Sequence, residues 1–405
     1  MAAILLVLGV TFAAALFMSF TVGANSNSAP VAPAVGANAL SILRASLLVG
    51  VVAGLGALLQ GGNISETIGK GLVTGVSITP LAAAAALLTA ATLITIGNSR
   101  GYPIPSAFTV TGAIIGVGVA LGGGFATREY VRIFAFWLSI PIANAILGYG
   151  IARALRSERL AEDVGVPALA GGVGFALANV RLSVLPAPDG GSGSLAGSIS
   201  RAGHVLPTTL VGHYTLGMVA VSAVGGALAL WATRRQLRRD QTRGINRFLV
   251  VLGLVVVFTS GGSQVGLATG PLESVFQSDL HASTVYLLAL GGVGILVGAW
   301  VRSPRIIQAV SNEYAALGPR RSIAALIPAF LIAQLAIVLG IPISFNKVMI
   351  SSIVGSGLAA SSAGGGVSPR KAGVTVLSWV GSMVGAGLVS YGLYLALRDV
   401  PGLGS

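Results

Sequence analysis

The stretch FTVGANSNSAPVAPAVGANAL, residues 20–40, sets polar and helix-breaking residues inside an otherwise apolar run. Residues 3–22 and 38–58 flank it, and each is long and apolar enough to cross a bilayer, which takes about 20 such residues. Gly23, Asn25, Ser26, Asn27, Ser28, Pro30 and Pro33 fall in the gap. Backbone that leaves helical geometry in hydrocarbon must be buried in protein or line a polar cavity. Read as a break at membrane depth, this stretch marks the centre of a membrane protein and of its site.

The composition agrees. Of 405 residues, 54% are apolar and 9% charged, against roughly a quarter charged in soluble domains, and the mean hydropathy is +0.89. A multi-pass protein of the cell membrane follows, with the lipid bilayer as its first partner. Cysteine is absent, which excludes disulfides, thiolate metal sites and a cysteine nucleophile. His204, His213 and His281 are too few and too scattered for a metal centre. No cofactor is expected. The net charge of +13 does not indicate nucleic acid, because its arginines sit in short loops, where basic residues fix orientation. Residues 3–20 read as a retained first span rather than a signal peptide. No nucleophile–base pair and no glycine-rich phosphate loop with Lys-Ser/Thr occurs, so neither an enzyme nor an ATP-driven pump is expected.

Apolar segments near 3–22, 38–58, 71–97, 109–123, 131–152, 164–180, 205–232, 248–276, 283–301, 322–339, 348–362 and 372–397 predict an all-α polytopic fold with about 10–12 membrane segments. Residues 181–203 read as a mobile exterior loop, and 302–321 as a loop. Residues 233–247 carry six arginines against one aspartate and read as cytoplasmic.

The chain also repeats. GYPIPSAFTVTGAIIGVGVA from Gly101 matches GIPISFNKVMISSIVGSGLA from Gly340, an offset of 239 residues (340 − 101). Gly23 matches Gly261 at an offset of 238 (261 − 23), and YGIARAL at 149–155 echoes YGLYLAL at 391–397. Two copies follow, residues 1–155 and 246–405, joined by linking spans, the polar loop and the basic loop in 156–245. Residues 59–70 are electrically neutral, whereas 302–321 carry a net charge of +3. Equivalent loops of unequal charge suggest opposite sides of the membrane, the pattern of inverted-topology repeats.

Four breaks are expected in matched pairs, at 23–33, 101–108, 261–271 and 340–347. Gly101-x-Pro103 and Gly340-x-Pro342 read as tips of re-entrant hairpins. Breaks free N–H groups at positive helix ends, which suit oxyanions. The candidate binding residues are therefore Asn25, Ser26, Asn27 and Ser28; Ser106 and Thr109; Ser260, Ser263 and Gln264; and Ser344, Asn346 and Lys347. Ser26, Gln264 and Glu273 are candidates for a coupling ion. A metal site is not expected.

Residues 23–41, GANSNSAPVAPAVGANALS, followed by LGALLQGGNISETIGKGLV at 55–73, resemble the inorganic phosphate transporter (PiT) family. SGGSQVGLATGPL at 260–272 is similar to that family's second signature copy, and the two Pro-containing stretches resemble its paired hairpins. The resemblance implies an ion-coupled importer of phosphate with inverted repeats, usually a homodimer, and spans nearly the whole chain.

The chain departs from that pattern where the family's signature aspartates stand. Those positions hold Ser26 and Gln264, and the second hairpin places Lys347 where the family has histidine. Losing two carboxylates and gaining an ammonium makes the expected site more positive, so the oxyanion is expected to bind with altered or absent sodium coupling. Phosphate is the expected substrate. Sulfate is the rival, because it needs no acceptor for a proton, and a non-transporting structural or sensing subunit is the rival of another class.

Overall fold

With no water to satisfy the backbone, apolar segments close as helices, and helices make up most of this chain. The computed structural model describes residues 2–99, 104–157, 162–187, 192–204, 206, 208–211, 214–279, 282–359 and 369–400. Among these, nine helices are long and apolar enough to cross a membrane.

The first half runs α1 (Ala2–Ser26), a 3₁₀ turn (Ala29–Val31), α2 (Ala32–Gly36), α3 (Ile42–Gln60), α4 (Gly62–Glu66) and a π turn (Thr67–Gly71). Next come β1 (Val73–Thr74), α5 (Pro80–Ser99), α6 (Ser106–Ala120), β2 (Gly124–Phe125) and α7 (Thr127–Arg156). The middle contains α8 (Glu162–Ala178), β3 (Arg181–Pro186), β4 (Ser192–Ser194), α9 (Leu195–Ala202), β5 (Thr209–Val211), β6 (Tyr214–Thr215) and α10 (Leu216–Arg239). The second half runs α11 (Gln241–Thr269), a 3₁₀ turn (Gly270–Leu272), a π turn (Val275–Asp279), α12 (Thr284–Leu339), α13 (Phe345–Leu358) and α14 (Pro369–Arg398).

Two short hairpins shape the interior. In the first, α5 and α6 follow one another, and β1 pairs antiparallel with β2, Val73 opposite Phe125. The strand pair ties the start of α5 to the end of α6, so both arms open on the Thr127 end of α7. The second hairpin is the later arm of α12, residues 319–339, followed by α13. Its open end lies at the other end of α7: Arg156 Nη1 donates to the Ala359 carbonyl at 3.0 Å. The two hairpins thus open toward opposite ends of one helix of 30 residues, about 45 Å long.

Contacts are exchanged between the halves. Helix α6 packs on α14 and α13 packs on α7; α1 packs on α12 and α3 packs on α11. A Cβ on Gly298 would come within 2.1 Å of the Phe20 carbonyl oxygen, and one on Gly56 within 1.9 Å of the Phe258 carbonyl oxygen. The two contacts are related by offsets of 238 (258 − 20) and 242 (298 − 56). Thr21 Oγ1 meets Thr95 Oγ1 at 3.2 Å, and Gln334 Nε2 donates to Thr259 Oγ1 at 2.8 Å, again at offsets of 238 (259 − 21) and 239 (334 − 95).

Several segments differ from the sequence expectation. The stretch 302–321 is helical, part of α12, and only Gly318 leaves helical geometry, with φ 72°. That left-handed conformation suits glycine, and the proline that follows disfavours the helical conformation at the residue before it. The described residues of 181–203 fold as the paired strands β3 and β4 and as α9 instead of a loop, because side chains tie them down. Ser194 Oγ caps α9 by accepting from Gly197 N at 3.1 Å, Ser183 Oγ donates to Leu58 O at 3.2 Å, and Gln60 Nε2 donates to Arg181 O at 3.2 Å. Much of the expected span 205–232 is α10, which begins only at Leu216, after β5 and β6.

The break expected at 261–271 is confined to its end. Helix α11 continues through Thr269 and gives way only at Gly270-Pro271. Likewise α1 runs to Ser26, so the first break begins at Asn27. The amides of 23–26 and 261–264 therefore belong to helices and are not free to face a ligand. Small residues here serve close packing instead, as membrane helices use them: a Cβ on Gly261 would lie 2.0 Å from the Ala53 carbonyl oxygen.

Candidate functional site

Gln264 lies at the centre of the polar interior. It is fully buried on α11, where an amide must find partners. Ser106, the first residue of α6, donates from Oγ to Gln264 Oε1 at 3.0 Å. Gln264 Nε2 donates to Ile343 O at 2.9 Å, in the extended turn just before α13. One side chain thereby touches both hairpin tips. Gln264 Nε2 also reaches Ser263 Oγ at 3.4 Å, and Ser263 Oγ donates back to Ser260 O at 3.0 Å.

The first break joins the same cluster. Ser260 Oγ donates to Asn27 Oδ1 at 2.5 Å, so the end of α1 meets α11. Asn27 Nδ2 is buried without a hydrogen-bond partner, an amide donor in want of an acceptor. Ser26 is buried beside it, and Ser344, at the start of α13, is buried as well. The N-terminal turns of α6 and α13 both begin at this cluster, and such ends carry partial positive charge. Asn27, Ser106, Ser260, Ser263 and Gln264 are all neutral, so the arrangement offers hydroxyl and amide donors and a positive field to an anion, with no carboxylate among them.

Other predicted residues lie elsewhere or turn away. Asn25 and Asn346 are half-buried. Ser28 pairs with Ser303 of α12 at 2.5 Å. Thr109 bonds its own turn, donating to Pro105 O at 2.9 Å. Gly101 and Pro103, expected at the first hairpin tip, lie outside the described residues, as do His213 and His281. His204 is exposed, and no group of metal-ligating side chains occurs among the described residues.

Lys347 is buried but does not bond the cluster. Its Nζ donates to the Trp137 carbonyl at 2.8 Å and sits 3.6 Å from the Trp379 ring centroid and 5.1 Å from that of Phe108. The cause is in α7. Pro141 sits inside that helix and has no N–H to offer the carbonyl four residues back, which is Trp137's. Lys347 supplies the missing donor.

Glu273 forms a separate knot at the end of α11. It accepts from Ser65 Oγ at 2.9 Å, Thr284 Oγ1 at 2.9 Å and Gln277 Nε2 at 2.5 Å, while Lys70 Nζ bonds Gln277 Oε1. Sequence reading missed a third polar group: Gln60 and Gln334 exchange amide bonds at 3.2 and 3.3 Å beneath Thr259. The available signal was Gln334 inside an apolar span and Gln60 just past the end of another, where polar side chains mark function or pairing.

The fold, with long apolar helices around a buried polar cluster, defines a multi-pass helical membrane protein. Residues 22–390 match the model of the phosphate transporter family, and the chain belongs to that family. It is 24% identical to a Pyrococcus furiosus protein named as a phosphate permease, over 98% of this chain and 97% of that one. It is 26% identical to an Arabidopsis thaliana protein named inorganic phosphate transporter 2-1, chloroplastic, over 85% of this chain and 64% of the relative. A solved structure titled the sodium-dependent phosphate transporter superposes with a TM-score of 0.78 at 22% identity, covering 97% of this chain and 99% of the other, and so shares its fold.

Proposed function

We propose that this protein is a secondary transporter of inorganic phosphate that works by alternating access between two inverted halves. The observation that carries the reading is the bridge from Gln264 to Ser106 and Ile343, which joins both hairpin tips on one buried side chain. Family membership supports phosphate as the substrate. The opposed hairpin openings and the exchanged contacts, at offsets of 238 to 242 residues, support inversion of residues 1–155 against 246–405. Hairpins that open on opposite sides and meet at their tips can expose one site alternately to each side.

Asn27, Ser26, Ser106, Ser260, Ser263, Gln264 and Ser344 line the proposed site. Asn27 Nδ2 and the N-terminal turns of α6 and α13 are the donors that meet the anion. Lys347 adds a basic side chain to the second hairpin but makes no bond to the cluster. With Ser26 and Gln264 where the family resemblance places carboxylates, sodium loses its strongest ligands, and the positive field balances the substrate instead. Neither sulfate transport nor a role as a non-transporting subunit is favoured by the family match.

Uptake of labelled phosphate and sulfate into proteoliposomes, with and without a sodium gradient, tests this. Phosphate uptake that persists without sodium is the expected result. Sodium-stimulated uptake would refute the charge-balance reading while leaving transport intact. Sulfate uptake alone would reassign the substrate, and uptake of neither anion would end the transporter reading.

A further inference from the structure

Helices α10 and α11 line two adjoining open cavities away from the Gln264 cluster, and α8 with the turn at 38–40 completes the wall of the first. One, of about 710 Å³, is walled by apolar side chains that include Val173, Leu177, Ala229, Phe248 and Val251. The other, of about 650 Å³, is lined by Arg235, Arg239, Arg243 and Arg247 together with Trp231. Ala232, Gln236, Arg243, Gly244 and Arg247 line both, so the apolar groove opens directly into the arginine cluster. Volumes of this size match ligand pockets, which run to about 300–1,000 Å³.

The charges are poorly balanced. Asp240 is the one acidic residue of the cluster and pairs with Arg243 at 3.2 Å. Arg235 stacks over Trp231, 5.3 Å from its ring centroid. Arg239 and Arg247 make no ion pair among the described residues, and all four arginines are exposed. They stand at the turn between α10 and α11, in the basic stretch that sets the cytoplasmic side. The groove walls continue along α8, α10 and α11 away from that turn, toward the hydrocarbon.

We propose that this groove is a binding site for an anionic phospholipid of the cytoplasmic leaflet, its phosphate held by Arg239, Arg243 and Arg247 and an acyl chain laid along α8 and α11. The occupant must combine a negative head with a hydrocarbon tail. Free phosphate would satisfy the arginines but leave the apolar walls unfilled, and an uncharged lipid would do the reverse. Basic pockets between membrane helices on this side bind lipid headgroups in this way. The site is separate from the Gln264 cluster and does not depend on what that cluster transports.

Native mass spectrometry of the full-length protein, incubated with phosphatidylglycerol or phosphatidylcholine in detergent, tests the site. Phosphatidylglycerol should be retained and phosphatidylcholine not. Arg243→Gln combined with Arg247→Gln should weaken phosphatidylglycerol binding by about 30-fold, from roughly one surface cation's worth for each arginine. Ala232→Phe, which leaves every arginine in place and fills the junction of the cavities, should displace the lipid as well. Equal retention of both lipids would overturn the proposal. So would an Ala232→Phe protein that binds phosphatidylglycerol normally, since attraction would then be general to the surface. A lipid-free dimer that dissociates when Ala232→Phe is introduced would overturn it too, by assigning the groove to a second copy. Circular dichroism and a monodisperse elution profile confirm that each variant is folded.

Discussion

Ser106 and Gln264 lie 158 residues apart in sequence and meet at 3.0 Å, hydroxyl to amide oxygen. The bond pins the tip of the first hairpin to the helix that also holds the second, because the same amide donates to Ile343 O. Moving either hairpin tip away from α11 would break the bond that tip makes with Gln264.

Gln264→Leu keeps the volume and removes both links. Phosphate uptake in proteoliposomes should fall by more than about tenfold, the scale of two hydrogen bonds lost at about 0.5–1.5 kcal/mol each. The effect on stability should be smaller. A double-mutant cycle with Ser106→Ala should give a coupling near 0.6 kcal/mol, typical of side-chain pairs inside membrane bundles. A variant that transports normally would show that the bridge is a packing contact only.

The exchanged helix pairs predict matched sensitivities. A Cβ on Gly116 would come within 2.1 Å of the Gly387 carbonyl oxygen, and one on Gly355 within 2.1 Å of the Ala145 carbonyl oxygen. Backbone cannot yield to either, so Gly116→Ala and Gly355→Ala should each cost about 1–3 kcal/mol by overpacking. Gly172→Ala is the control: nothing lies within 4 Å of its added carbon, and alanine favours the helix by about 1 kcal/mol. Thermal unfolding in detergent should lower the midpoint for the first two and leave or raise it for the third. Unequal losses for Gly116 and Gly355 would argue against equivalent halves.

The helical membrane class was legible from composition, and the Gly340-x-Pro342 stretch marked the turn before α13, whereas its counterpart at Gly101 and Pro103 lies outside the described residues. That Asn27 lies against Ser260 was legible because the repeat offset places the two stretches in register. The extent of the breaks was not. Glycines 23, 261 and 262 read as helix breakers, yet in lipid their small size serves close helix contact, and the helix persists wherever its backbone bonds close internally. The partner of Lys347 was hidden for a different reason. It depends on a carbonyl freed by Pro141, 206 positions away (347 − 141), which local patterning does not connect. The helical state of 302–321 was masked by its arginines and prolines, which read as a loop until the kink at Gly318 is seen to carry the whole bend.

The link between α8 and the second hairpin predicts a pH dependence. Arg320 donates from Nε and Nη2 to the two oxygens of Glu162 at 2.6 and 2.9 Å, and this bond holds the Glu162 carboxyl below the usual carboxylate range. A lowered folded-state pKa stabilises the protein above the unfolded value, and the contribution disappears as pH falls through the folded value. Arg320 is about half exposed, so the pair is worth no more than about 1 kcal/mol. Glu162→Gln should therefore be less stable than the parent at neutral pH by that amount, and the two should converge in acid below the ordinary glutamate range. Unfolding midpoints measured across that range check it. A difference that persists unchanged into acid would mean that packing, not charge, is what the substitution removes.

Lys347 and Pro141 should be energetically coupled. The Trp137 carbonyl is left without its helical donor by Pro141 and takes one from Lys347 Nζ at 2.8 Å. Lys347→Met then leaves a buried acceptor unpaired, at a cost of about 1–3 kcal/mol, and also removes the ammonium from the Trp379 face. Pro141→Ala restores an N–H four residues along the helix, so the same lysine substitution made in that background should cost clearly less, by about 1 kcal/mol, the worth of the restored bond. What remains in the second background measures the cation–π contact, expected at about 1–2 kcal/mol for a desolvated pair. Chemical or thermal unfolding of the four proteins of the cycle reads the coupling directly. Strictly additive losses would show that the carbonyl is satisfied in some other way and that Lys347 is held in place by its charge or its rings alone.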